Sequence, residues 1–419
     1  MKKNKNFKKQ VLTLVSGTMG SQIITMLMVP ILARIYTPAN FGGWALFVAV
    51  SGLLSLVSAG RYDSAIILPK RIKEARVLAF ISLCHISVVS LLIGLGVVTA
   101  WQMDLLPSNQ AGWLLLPVSV IVCGYTQVFS SLLVRARRYS AISRTRVAQS
   151  VSVAVTNLIF GYALTTGYFQ NGSALLVFAT ILGQVIALFV AMQGLGARRV
   201  IPLLKKSSYS IAHVKKYKDF PLFSTPATVL GSVLTDLPMY VFIYFFGSYM
   251  AGQYTLAQRC LMLPVAILGG AMSQVNTRDL AQLSASGQPI KKELFSAWLR
   301  AAYLAFVPTV VLLFFANELF GLVFGAGWNM AGEMATVMAI PIFIMFIFSV
   351  GSGSHAILGM QHFSLLAALC SVGMKIPIIY ALIGANPLHL LFALALVDIL
   401  VVASMNSYAY WRAAKVENE

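Results

Sequence analysis

Four basic residues, Arg34, Arg61, Arg259 and Lys375, stand inside hydrophobic stretches of this chain, and three acids, Asp63, Asp236 and Asp398, share those stretches. A charge at the centre of a membrane helix costs roughly 2.5–3.5 kcal/mol on insertion scales, so each needs a reason. Two chemistries are open. The charges can pair with one another and hold helices together. Alternatively, the bases line a polar cavity that accepts an anion, while the carboxylates neutralise them or exchange protons. Helix rise converts position into depth: Lys375 is about twelve residues into its stretch, about 18 Å deep and near the midplane, with Asp236 and Asp398 at a similar level. Arg259 comes out about 12 Å below the outer surface and Arg61 toward the inner half. The cavity reading suits these three bases. Arg34 is near an outer end, where its side chain can snorkel to water, and an interface anchor serves as well there.

The elements that must position these groups are membrane helices. The chain has 419 residues, of which 58% are hydrophobic and only 10% charged. Its mean hydropathy is +0.81. Soluble domains carry roughly 25% charged residues. The net charge of +19 does not indicate nucleic-acid binding, because the bases flank hydrophobic spans and no stacking aromatics accompany a basic face. They set orientation and meet anionic lipid instead. Clusters at Lys2-Lys3-Asn4-Lys5, Lys70–Lys73, Arg135–Arg138, Arg198–Lys218, Lys291-Lys292 and Arg412–Lys415 alternate with loops free of Lys and Arg. This is the positive-inside pattern of a multi-spanning inner-membrane protein with both termini cytoplasmic.

A ruler of about 20 apolar residues gives about twelve spans. They are 11–36, 41–68, 77–101, 112–134, 147–166, 174–195, 222–246, 251–272, 294–316, 334–358, 363–383 and 388–410. The Lys- and Ser-rich connection 196–221 separates a first lobe, 1–195, from a second, 222–419. Phe41-Gly42-Gly43-Trp44-Ala45-Leu46 and Ala251-Gly252-Gln253-Tyr254-Thr255-Leu256 open equivalent spans. The offset covers six spans, an even number, so the repeat is parallel, giving two six-helix lobes. The predicted fold is therefore an all-α integral membrane protein. The first span is too long for a signal-peptide core. The longest outward loop is 317–332.

Other residue types yield less chemistry. Cys84, Cys123, Cys260 and Cys370 lie in apolar segments and read as small buried hydrophobes rather than disulfide partners or metal ligands. His85, His355 and His362 lack metal-ligand spacing and read as packing or interfacial residues, with a proton relay the weaker alternative. Pro30, Pro117, Pro226, Pro238, Pro264, Pro308, Pro341 and Pro377 fall within spans and permit kinks, and Gly351-Ser352-Gly353-Ser354 can loosen the tenth. No phosphate loop, catalytic triad or paired catalytic acids is present, so neither an ATPase nor another enzyme is indicated, and no cofactor or metal is required.

Tyr36-Thr37-Pro38-Ala39-Asn40-Phe41-Gly42-Gly43-Trp44, following Pro30-Ile31-Leu32-Ala33-Arg34, resembles the opening of the bacterial polysaccharide transporter family, which includes the Wzx-type O-antigen flippases. The likeness continues in Tyr217–Leu222, Asp236-Leu237-Pro238, Ala251–Tyr254, Leu263-Pro264, Gln274-Val275 and Phe324–Trp328 with Ala331. It implies membership of the multidrug/oligosaccharidyl-lipid/polysaccharide superfamily, with the two lobes around a central cavity. The implied substrate is an undecaprenyl-diphosphate-linked oligosaccharide, flipped from the cytoplasmic to the periplasmic leaflet by ion-coupled alternating access. The implied partners are that lipid, the surrounding membrane lipids, a polysaccharide polymerase and a chain-length regulator. Arg34 and Arg259 lie within the matched motifs. Arg61 and Lys375 rest on depth alone.

Fixed cations would offset the desolvation of a diphosphate. A multidrug extruder of the same superfamily is the alternative, but its cavity should carry excess acid, and here bases exceed acids. A glycosyltransferase or ligase should show a large basic outward loop, which 317–332 is not. A scaffold subunit would not need charge at midplane depth. The charge pattern makes a topology prediction: reporter fusions at Asn109, Asn171 and Asn386 should report the periplasm, and a cytoplasmic signal at any two of them would overturn the orientation.

Overall fold

A computed structural model describes residues 2–105, 110–196, 216–286 and 288–418. The side chains of 2–15, 110, 111, 356, 361, 362, 364, 365 and 415–418 are not among those described. Asn109, the basic stretch 198–215, Gly287 and the side chains of Lys2–Lys5, His362 and Lys415 thus lie outside the described residues.

Every described element is helical: α1 Lys2–Ile35, α2 Pro38–Ser58, α3 Tyr62–Ala65, α4 Ile72–Gln102, α5 Gln110–Trp113, α6 Leu116–Arg135, α7 Tyr139–Thr165 and α8 Gly172–Leu195 come first. They are followed by α9 Thr225–Pro264, α10 Gly270–Ala285, α11 Lys291–Phe324, α12 Asn329–Ser349, α13 Gly353–Ile357, α14 Gln361–Leu382 and α15 Pro387–Asn418. Among the described residues, ten helices are long and apolar enough to cross a membrane, so the chain is a multi-pass membrane protein. The count differs from twelve for two reasons. The expected seventh and eighth spans run into one 66-residue helical stretch, Phe220–Ala285. Its direction nonetheless breaks at Gly247, whose φ of 80° and ψ of 175° fall where the first of those spans was expected to end. The expected eleventh span appears as a shorter apolar helix, Leu366–Leu382.

Helix ends correct several expected boundaries. The second span stops at Ser58 rather than 68, because Gly60 and Arg61 take left-handed φ values of 53° and 56°. The tenth stops at Ser349, before the Gly351–Gly353 turn. The expected outward loop 317–332 is mostly helix, since α11 continues to Phe324 and α12 starts at Asn329. Pro117 opens α6, where its missing N–H is harmless, instead of kinking a span. π-helical turns at Phe220–Ser224 and Val265–Gly269 flank α9. Each adjoins a proline, Pro221 or Pro264, that cannot continue the ordinary hydrogen-bond ladder.

The chain divides into two compact units, Met1–Asp236 and Leu237–Glu419, with the division falling inside α9. In the first, α1, α7 and α8 pack in series, and α2, α4 and α6 complete the bundle. The Tyr36-Thr37-Pro38 motif builds the corner between α1 and α2. The Tyr36 hydroxyl donates to the Asn157 carbonyl at 3.1 Å, Thr37 caps α2 and Pro38 occupies its first turn. Trp44 then donates its Nε1 proton to Thr180 Oγ1 at 2.8 Å. In the second unit, α11 packs on α12, α12 on α15, and α14 on α15. Gly332 lets α12 approach the Ala316–Asn317 backbone of α11, where any Cβ would collide.

Gln253 explains the spacing of two motifs. It is wholly buried, its Nε2 donates to the Gly327 carbonyl at 2.7 Å, and its Oε1 accepts the Ala331 N–H at 2.9 Å. That N–H is one of the first-turn donors of α12, which have no partner within the helix. Gln253→Leu should therefore leave a buried donor unmet and lower stability by about 1–3 kcal/mol. Thermal unfolding in detergent would measure it, and an unchanged midpoint would contradict the assignment.

Candidate functional site

The second unit brings Lys375 and Asp398 together. Lys375 lies in α14 and Asp398 in α15, helices held by Leu390 and Leu394 against Ile378, Ile379 and Leu382. Lys375 Nζ stands 2.7 Å from Asp398 Oδ1; the lysine side chain is 2% exposed and the aspartate 36%. An ammonium buried that deeply requires a counter-charge, and no nearby residue in sequence supplies one. The two differ in burial: the lysine is enclosed, and the carboxylate is partly exposed at the protein surface. Arg259 is half-buried in α9, shortly before Pro264.

The first unit holds the other charges. Arg34 is exposed in the last turn of α1, the position of an interface anchor. Asp236 is half-buried in α9, just before Pro238. Arg61 and Asp63 are not inside a spanning helix but in the turn after α2. Arg61 is half-buried, adopts the left-handed conformation that a non-glycine residue pays strain to hold, and buries its Nε without a hydrogen-bond partner among the described residues. Asp63 is 6% exposed, and its Oδ1 has no partner among the described residues either. Burial raises the Asp63 carboxyl above its ordinary pKa, while the Arg61 charge and Ser64 hydrogen bonds pull it partly back. His85 Nδ1 bonds the Ser58 carbonyl at 2.6 Å behind this turn. Arg135 donates to the carbonyls of Ile66, Ile67 and Lys70 ahead of it. The turn is thereby fixed at both ends.

An apolar groove of about 510 Å³ runs between α14 and α15, with Phe363, Leu366, Cys370, Met374, Leu400 and Tyr408 among its walls. Among the described residues, no group of three or more His, Cys, Asp or Glu is placed to hold a metal ion. The cysteines are free; Cys84 and Cys370 are exposed rather than buried, and Cys123 and Cys260 are intermediate. Attention to charge alone misses Gln253, Asn276 and Asn406, all buried. The signal available for them was an uncharged polar residue within an apolar stretch.

Residues 31–333, more than two thirds of the chain, match the family described as "Polysaccharide biosynthesis protein". The chain belongs to that family. No curated protein matches it. Among solved structures it is similar to "Lipid II flippase MurJ, inward closed conformation", at 14% identity and a TM-score of 0.75, over 97% of this chain and 90% of that one. An inward-facing multidrug resistance MATE family transporter of the MOP superfamily matches at 14% identity and a TM-score of 0.62, over 97% and 95%. A MOP superfamily transporter from Pyrococcus furiosus matches at 16% and 0.57, over 98% and 96%. At these identities the likeness establishes the fold, which is that of the MOP-superfamily transporters.

The ion pair makes a stability prediction. Lys375→Met should be tolerated better when Asp398→Asn accompanies it than Asp398→Asn alone, which strands a buried ammonium. Loss of the acid alone should cost about 3 kcal/mol, the low end for buried pairs because Asp398 is partly accessible. Thermal unfolding of both single variants and the double variant measures the coupling; strictly additive effects would refute a direct pair.

Proposed function

We propose that this protein is a flippase rather than an enzyme. In this reading it moves an undecaprenyl-diphosphate-linked oligosaccharide from the cytoplasmic to the periplasmic leaflet of the bacterial inner membrane, exposing one substrate site to the two leaflets in turn. Family membership over residues 31–333 is the observation that carries this reading. The fold likeness to a protein named as a lipid II flippase agrees with it. Physically, a diphosphate entering a low-dielectric site needs fixed cations. Arg61, Arg259 and Lys375 are the candidates, with Arg34 at the interface. Polysaccharide polymerase and chain-length regulator would act on the product once it is outside.

The pairing of Lys375 with Asp398 supports an ion-coupled cycle. If a diphosphate replaces Asp398 as counter-ion of Lys375, the released carboxylate takes up a proton; when the substrate leaves, the pair reforms and the proton is lost. Asp236 and Asp63 are the further proton-exchange candidates. Multidrug extrusion, which the MATE-type likeness would equally allow, fits less well with bases outnumbering acids in the spans.

Two measurements test this. Arg61→Ala and Arg259→Ala should lower flipping of lipid-linked oligosaccharide in proteoliposomes at least tenfold, about 1.4 kcal/mol, with protein levels near normal. Undiminished flipping in both would remove the cation role. Asp398→Asn should lose the response to an imposed pH gradient that the unaltered protein has; if neither it nor Asp236→Asn changes that response, proton coupling through these acids is excluded.

A further inference from the structure

A second polar site lies in the second unit, away from the Lys375–Asp398 pair, around the turn Val350–His355 that follows α12. Three buried polar atoms with no hydrogen-bond partner among the described residues gather on this turn, Asn276 Oδ1, Trp298 Nε1 and Ser354 Oγ, and the His355 ring and Asn406 side chain, which bond one another, lie beside them. They come from α10, α11, α13 and α15. Asn276 donates from Nδ2 to the Val350 carbonyl at 3.1 Å, and Ser273 and Ser352 bond through their hydroxyls at 3.1 Å. Gly351 abuts Trp298 Nε1 so closely that a Cβ would collide with it, and Gly353 abuts Thr277. The Asn406 side chain is the polar neighbour of the His355 ring. Asn276, Ser354 and Asn406 are each more than nine-tenths buried.

The donor and acceptor inventory selects the ligand. Asn276 and Asn406 each commit Nδ2 to a carbonyl, of Val350 and Val402 respectively, which fixes their orientation and leaves Oδ1 as a pure acceptor. Trp298 can only donate. Ser354 does both, and His355 Nε2 does either, according to tautomer. A cation is opposed by the indole N–H, and an anion by two amide oxygens. A small neutral molecule that both donates and accepts satisfies the set, and buried groups of this kind are ordinarily met by water.

We propose that the Val350–His355 turn encloses a bound-water site and that His355 is its proton-exchanging member. The Gln253 amide is a dry contrast, with protein partners at both ends. The turn lies outside the spanning helices. Charged groups on the surrounding elements are engaged or directed elsewhere: Arg278 and Asp279 on α10 are exposed, Arg300 on α11 pairs with Glu293, and Lys291 lies over the Tyr410 ring. Lys292 on α11 is exposed and Arg412 on α15 is half-buried. His355 is thus the group that can change charge inside the site. Burial holds its imidazole below the ordinary value, with Asn406 pulling slightly back. The sign follows: the folded state prefers neutral His355, so this contribution is complete above the free value of about 6.5 and lost as pH falls through it.

Radiolytic hydroxyl-radical footprinting of the full-length protein in nanodiscs tests the hydration. Bound water generates radicals locally, so Trp298 and His355 should label several-fold more than buried Trp328, with exposed Trp411 as the bulk reference. Asn406→Leu and Ser354→Ala should each reduce Trp298 labelling at least twofold while leaving Trp411 unchanged. Labelling of Trp298 and His355 at the level of Trp328, or no reduction in either variant, would overturn the water site. For the proton, the unfolding midpoint should fall further for the unaltered protein than for His355→Gln between about pH 7.5 and about pH 5.5. Equal falls would remove His355 as the exchanging group. These readouts need no transported substrate, so they stand or fall separately from the flippase reading.

Discussion

Hydrocarbon offers nothing to an unpaired polar group, and this one constraint shapes the architecture at every scale. Backbone groups are met within helices. Hydroxyls fold back onto their own helix, as Ser55 does to Ser51, Thr156 to Ser152 and Thr255 to Ala251. Side chains too long for that find partners across helices: Trp44 on Thr180, Tyr36 on Asn157, and Gln253 on the Gly327–Ala331 turn. Lys375 is the extreme case, a full charge enclosed in protein and met by a single carboxylate.

The same constraint makes exceptions informative. The polar atoms left unmet sit largely where helices stop, around Arg61 and Asp63 after α2 and around Val350–His355 after α12. Both places follow spans that end earlier than hydrophobicity suggests, and both carry glycine. At Gly60 the left-handed backbone reverses the chain; at Gly351 and Gly353 the absence of Cβ admits Trp298 and Thr277. Ending a helix early exposes carbonyls and permits polar side chains to gather, which a continuous apolar helix would not allow.

The charges divide by unit. Arg34, Arg61, Asp63 and Asp236 belong to the first, and Arg259, Lys375 and Asp398 to the second. Each unit therefore has its own bases and acids. Among them Lys375 and Asp398 form a direct ion pair, the lysine enclosed and the aspartate partly exposed.

Much of this organisation was legible in residue order alone. Span type followed from runs of apolar residues, because bilayer thickness fixes helix length. The break near residue 246, the corner at Tyr36-Thr37-Pro38 and the identity of the charged residues were all readable locally. Helix ends after 58, 349 and 324 were not. A segment remains apolar beyond the point where a left-handed glycine or a packed neighbour stops it, and hydropathy has no access to backbone dihedrals. The partner of Lys375 was likewise undetermined, since three acids were available, two of them at its depth, and only the packing of α14 on α15 selects Asp398. Gln253, Asn276, His355 and Asn406 acquire their meaning solely from helices distant in sequence. Apolar burial is a property of each segment and is written in its composition; hydrogen bonding and charge pairing are properties of two segments at once, and only the tertiary structure decides which two meet.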